Sequence, residues 1–174
     1  TPKLAREELK NLIRYLLELD ETNKFRFVQK MNIKIQNSKR LFFDADVEDI
    51  SSSSSVNGYY KYVISDDGDA PKFFPKAPYQ VKGLALYNNI IKKHGFSDEN
   101  LYGGKMKIYV IKGPGSQQYF AYQSRNLPEW AEKYAPIDRS EMFKIHILEP
   151  FNRILSAIGY QELETDGNIQ MSLF

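Results

Sequence analysis

The side chains best suited to nucleophilic or metal chemistry are scarce. There are two histidines, His94 and His146, and no cysteine. That excludes disulfide scaffolds, Cys-based zinc sites and thiol catalysis together, and it fits a reducing compartment. The densest acidic cluster is Asp66, Asp67 and Asp69 around Gly68. It lacks the ligand spacing of a calcium loop and reads as a solvated turn. Gly103-Gly104-Lys105 lacks the spacing of a P-loop and the Ser or Thr that must follow its lysine. No Gly-x-Ser-x-Gly elbow occurs. Both histidines fall in predicted helices, where they read as structural or surface residues. On its own chemistry the chain looks non-catalytic.

What remains is charge and aromatic surface. The net charge of +2 conceals blocks. Residues 1–43 carry ten basic and five acidic side chains, and residues 44–70 carry one basic and seven acidic. Residues 71–112 carry eight basic and two acidic, and the last twenty-one residues hold three acids and no base. Two basic blocks of this kind can form local anion-binding patches or solvated helix faces. Twelve tyrosines and eleven phenylalanines suit surfaces that are half wet and half packed. A chain of 174 residues makes one domain, or one domain with an appendage, and buries enough surface to fold without staples. No apolar run approaches the ~20 residues of a membrane span, nothing at the start reads as a signal peptide, and no internal repeat is visible. The chain opens on Thr1 rather than Met, as a processed protein or a piece of a longer one would.

These side chains need elements to position them. Thr1 as a cap and Pro2 at the first helical position start a helix over residues 1–19, with Leu9, Leu12, Ile13, Leu16 and Leu17 on its stripe. Phe25, Val28, Met31 and Ile35 mark a second helix over residues 23–37. The unbroken run Ser51 to Ser55 reads as a mobile loop. Val56 to Ile64 has strand composition, and Asp66 to Pro78 reads as loop. Residues 80–94 form a helix stopped by Gly95. Lys105 to Ile111 and Gln117 to Tyr122 form a hairpin turned by Gly113-Pro114-Gly115. A short helix follows at Pro128 to Lys133. Asp138 and Glu141 have capping-box spacing for a helix that Pro150 must kink or end, and that resumes until Gly159.

Three segments carry a resemblance. The first is Phe74-Pro75-Lys76-Ala77-Pro78-Tyr79-Gln80-Val81-Lys82-Gly83, continued by Leu84-Ala85-Leu86-Tyr87-Asn88. The second runs from Asp138 to Gly159 and holds Phe143, Lys144, Pro150 and Gly159. The third is Gln170-Met171-Ser172-Leu173-Phe174. In this order they resemble the C-terminal thumb domain of family B replicative DNA polymerases from tailed bacteriophages. Thr1-Pro2-Lys3 is similar to the hand-over from palm to thumb. The resemblance covers the chain from start to finish, with no register between about Asp20 and Asp49.

The resemblance implies an α+β, helix-dominated thumb over residues 1–159, with helices 1–19 and 139–158 as its base and about 47–94 facing the duplex. Residues 160–174 would be a tail. A thumb of that family grips the primer–template backbone across the minor groove. Holding phosphates rather than base edges lets a polymerase move over any sequence. Ser53, Ser54, Ser55 and Asn57 match the thumb tip, and Lys61 and Tyr62 match a Lys-Tyr pair after it. Lys76, Tyr79, Lys82 and Gly83 fall in the first matching segment. Lys82 stands where an arginine is common, and Gln80 where a histidine is usual. The aspartates of the loop Asp66–Asp69 would face away from DNA.

Gln170, Met171, Ser172, Leu173 and Phe174 resemble a sliding-clamp-binding peptide, a modest and exchangeable tether. The implied partners are primer–template DNA, the palm and remaining domains of the polymerase, and a sliding clamp, with no membrane. The implied setting is the cytoplasm of an infected bacterial host. The family's Asp-Thr-Asp and Asp-x-x-Ser-Leu-Tyr palm motifs do not occur here. The chain alone is therefore expected to be inactive and to carry no cofactor, magnesium belonging to the palm. The alternative is a standalone clamp-binding adaptor without duplex affinity.

Overall fold

A computed structural model describes residues 1–159, a mixed helix and strand chain. Their contacts gather into two compact units. One comprises residues 1–50 with 139–159, and the other Ser51–Asp138. Among the described residues no helix is long and apolar enough to cross a membrane.

The first unit begins with α1, Lys3–Glu18, for which Pro2 rather than Thr1 is the N-cap. Its buried line is Ala5, Glu8, Leu12 and Leu16, at the three- and four-residue spacing that keeps side chains on one face. Leu17, expected on the stripe, is 77% exposed. Helix α2 runs Lys24–Asp44, a turn and more beyond the expected end. Asn23 caps it by accepting from the Arg26 amide at 3.1 Å. Phe27, Met31, Ile35, Ser38 and Phe42 face inward. Phe25 is exposed, because it lies two residues from Phe27 and so on another face of the helix. One polar contact joins the two helices: the Ser38 hydroxyl donates to the buried Glu8 carboxylate at 2.6 Å. Helix α3 is a single turn, Val47–Ile50.

The second unit opens with a correction. The serine run is not a loop. Ser52–Val56 is strand β1, paired antiparallel with β4, Gly104–Ile111. Serine has little strand propensity of its own, but a partner strand supplies the missing hydrogen bonds. Nor is Val56 to Ile64 one strand. After Gly58, held left-handed at φ 68°, Tyr59–Tyr62 forms the helical turn α4. Only Val63–Ser65 is strand, β2, paired with β3, Lys72–Phe73. Helix α5 spans Tyr79–His94 and ends in the left-handed Gly95, whose amide donates to the Ile91 carbonyl. Strand β5, Gln118–Gln123, completes a three-stranded sheet in the order β1-β4-β5. The single turn α6 is Ala131–Tyr134.

Helix α5 packs on β5, with Gly83 against Ala121. The opposite face of the sheet carries Tyr109, Phe120 and Tyr122, all buried. Trp130 meets Phe120 edge-on at 5.8 Å, and the Tyr109 hydroxyl donates to the Ala135 carbonyl at 2.7 Å. The Tyr122 hydroxyl donates to the buried Ser51 at 3.3 Å, tying the start of β1 to β5.

The chain then returns to the first unit through α7, Arg139–Phe143, and α8, Glu149–Ala157. Between them Lys144–Leu148 is a π-helical turn. Pro150, expected to kink or end the helix, stands in the first turn of α8, directly after that π-helical turn. A proline cannot donate to the carbonyl four residues back, and its ring crowds that group. A widened turn relieves both problems. The Glu149 amide donates to the Lys144 carbonyl, five residues earlier, and the helix passes through. Met142, Phe143, Ile147, Leu148, Phe151 and Leu155 are buried along it.

Candidate nucleic-acid interface

Strand alternation sorts the serines. Ser52 and Ser54 lie opposite the buried Ile108 and Met106, whereas Ser53 and Ser55 lie opposite Lys107 and Lys105. Ser53 and Ser55 are exposed and Ser54 is half-buried. Asn57 and Lys61 follow, both exposed, and the Lys61 ammonium lies 5.4 Å from the centre of the half-buried Tyr62 ring. Tyr60 projects beside them, 72% exposed, and stacks on Tyr102 at 5.2 Å.

The second set of expected residues surrounds the start of α5. Lys76 is exposed and adopts a left-handed φ of 64°, unusual for a side-chain-bearing residue. Tyr79 is half exposed and packs on Tyr119 at 5.1 Å. Lys82 lies 6.0 Å over the Phe73 ring and lines a cleft of about 400 Å³ with Asp69, Gln117 and Tyr119. Gly83 is buried where α5 meets Ala121 and Phe120 of β5. The Oε1 atom of Gln80 is buried without a hydrogen-bond donor among the described residues.

The acidic loop departs from the solvated turn expected of it. Asp67 and Asp69 are exposed, but Asp66 is 7% exposed and sits at the centre of a polar network. It accepts from the Tyr59 hydroxyl at 2.6 Å and pairs with the Lys92 ammonium. Asn88 donates to the Tyr59 oxygen at 3.0 Å and to the Leu101 carbonyl at 2.7 Å, and its own oxygen accepts from the Leu101 amide at 2.8 Å. Asn89 donates to the carbonyls of Asp66 and Gly68. One network thus holds α4, the acidic loop, α5 and the chain around Leu101. Burial alone would raise the Asp66 carboxyl, but Lys92 and Tyr59 outweigh it and hold the group below the usual carboxylate range. Lys92 is raised in return by its bond to Asp66. Burial and the Asp66 acceptor push the Tyr59 hydroxyl upward.

Sequence reasoning missed three side chains that the fold adds, the exposed Lys105 and Tyr102 and the half-buried Lys107. Lys105 and Lys107 join Ser53 and Ser55 only through strand register. Tyr102 joins Tyr60 only by tertiary folding. The alternation of residues 105–111 was the available signal for the lysines.

Among the described residues no group of three His, Asp or Glu side chains could hold a metal ion. The candidate clamp peptide, Gln170, Met171, Ser172, Leu173 and Phe174, lies outside the described residues. Compared with known protein families and with characterised proteins, the chain matches none.

Proposed function

We propose that this chain is a non-catalytic DNA-binding module, the thumb of a phage-type family B polymerase. It grips the sugar–phosphate backbone of primer–template and tethers to a sliding clamp through Gln170–Phe174. One observation carries the reading. Ser53, Ser55, Asn57 and Lys61 are exposed in succession along one stretch of chain, while neighbouring Asp66 is turned inward on Lys92. Hydroxyl, amide and ammonium donors of this kind hold phosphates without reading bases. The stretch from Ser53 to Lys61 itself carries no acidic side chain, which favours a polyanion further.

The test is fluorescence anisotropy of a labelled primer–template duplex with the full chain over a salt series. Each neutralised phosphate contributes about 0.9 to the slope of log K against log salt. Replacing Lys76 and Lys82 by alanine should lower that slope by about 1.8. No binding at low salt, or an unchanged slope in the variant, overturns the reading. With magnesium and nucleotides the chain alone should extend no primer.

A further inference from the structure

We propose that Lys105 and Lys107 of β4 form, with Ser53 and Ser55 of β1, a two-rung ladder that binds consecutive phosphates of one nucleic-acid strand. This rests on the reading of the chain as a DNA-backbone binder, and it adds two residues that the resemblance does not supply.

The ladder follows from register. Ser53 lies opposite Lys107 and Ser55 opposite Lys105 in an antiparallel pair. Directly opposed residues point to the same face, so each rung offers one hydroxyl and one ammonium. The two rungs are two residues apart, about 6.8 Å along the strand. Consecutive phosphates of an extended backbone can meet that spacing. The ammonium supplies charge, and the hydroxyl supplies a donor with a fixed direction.

The surroundings fit an anion. A shallow groove of about 390 Å³ is lined by Ser53, Ser54, Ser55, Lys105, Lys107 and Ser124 together with Met106. No carboxylate is among these residues. One side of these strands is apolar, with Val56, Met106 and Ile108 buried; on the ladder side Lys105 is exposed and Lys107 is half-buried opposite the buried Tyr122, so the ladder is built on a packed sheet. β1 is also the outer strand of the sheet order. Lysines near an edge commonly serve only to block pairing with another chain. That is the rival account, and it predicts no response to phosphate.

Two probes separate the outcomes: a blunt DNA duplex and inorganic tripolyphosphate, each titrated into the full chain while backbone amide shifts are followed by NMR. Both should move the amides of Ser53 to Ser55 and of Lys105 and Lys107. In the anisotropy assay K105A/K107A should lower the salt slope by about 1.8, so weakening between 50 and 200 mM salt becomes about twelvefold smaller. K105R/K107R should restore it. Duplex binding that leaves these amides unmoved and the K105A/K107A slope unchanged overturns the ladder, while the DNA reading stands on its other lysines. Tripolyphosphate shifts without duplex binding overturn the DNA reading and the nucleic-acid ladder with it. Silence from both probes overturns both. The wild-type shifts need no variant, so they decide the matter even if the alanine protein fails to fold.

Discussion

Gly83 on α5 and Ala121 on β5 meet so closely that a β-carbon at position 83 would stand 3.0 Å from the Ala121 backbone nitrogen. It would also lie 3.2 Å from the Ala121 side chain and 3.2 Å from the Phe120 carbonyl carbon. Two of these neighbours are backbone and cannot rotate away. Alanine gains about 1 kcal/mol in helix propensity over glycine, while overpacking a tight contact costs about 1–3 kcal/mol. The clash should win. Gly83→Ala should lower stability by roughly 1 kcal/mol, and Gly83→Val by more, read by chemical denaturation. An alanine variant as stable as the parent would show that α5 can lift off the sheet freely.

Tyr59 connects two buried polar groups, accepting from Asn88 and donating to Asp66. Tyr59→Phe keeps the ring and removes both bonds. Asn88 retains the Leu101 carbonyl, and Asp66 retains Lys92. The loss should therefore be about 1–3 kcal/mol rather than collapse of the unit. Hydrogen exchange should report it at the Leu101 amide, which Asn88 holds. Unchanged protection at Leu101 would mean that the network is not cooperative.

Arg139 closes the other unit. Its Nη1 donates to the carbonyls of Phe42 and Ala45, at 3.3 and 2.6 Å, where α2 runs out of intrahelical donors. Arg139→Ala should cost about 1–3 kcal/mol and fray the last turn of α2. A lysine has one ammonium in place of the planar fork and should recover only part of this. Amide exchange at residues 41–45 separates local fraying from global loss.

Stability should fall on acidification in two stages. Burial depresses His146 to about 4. Its contribution is full above the unfolded value near 6.5 and is lost as pH falls toward about 4. Asp66 is also depressed, from 3.8. Its contribution is present above the unfolded value and is lost only as pH falls through the lower folded one. His146→Gln should flatten the limb between about pH 6.5 and 4, and Asp66→Asn the limb below about 4. Denaturation midpoints over pH 2.5–8 check both, and an upper limb unchanged in His146→Gln would place the titration elsewhere.

Elements with local signals were legible in the sequence. The apolar repeat of α5 and its stop at Gly95 lie within the segment itself, and so do the alternation of β4 and the Gly113-Pro114-Gly115 turn. The start of α7 after Asp138 was equally visible. The candidate residues Ser53, Asn57, Lys61, Lys76 and Lys82 came instead from the resemblance to a polymerase thumb, not from a local signal. Tertiary structure decided the rest, wherever the partner is distant in sequence. Ser54 becomes strand because Met106 stands opposite it, and Asp66 is buried because Lys92 neutralises it there and Tyr59 donates to it. Phe27 rather than Phe25 turns inward because α2 must match one face to its neighbours. Composition and periodicity describe what a residue prefers alone. Backbone pairing and charge compensation depend on which other residue arrives, so the rungs Ser53–Lys107 and Ser55–Lys105 exist only once the sheet has formed.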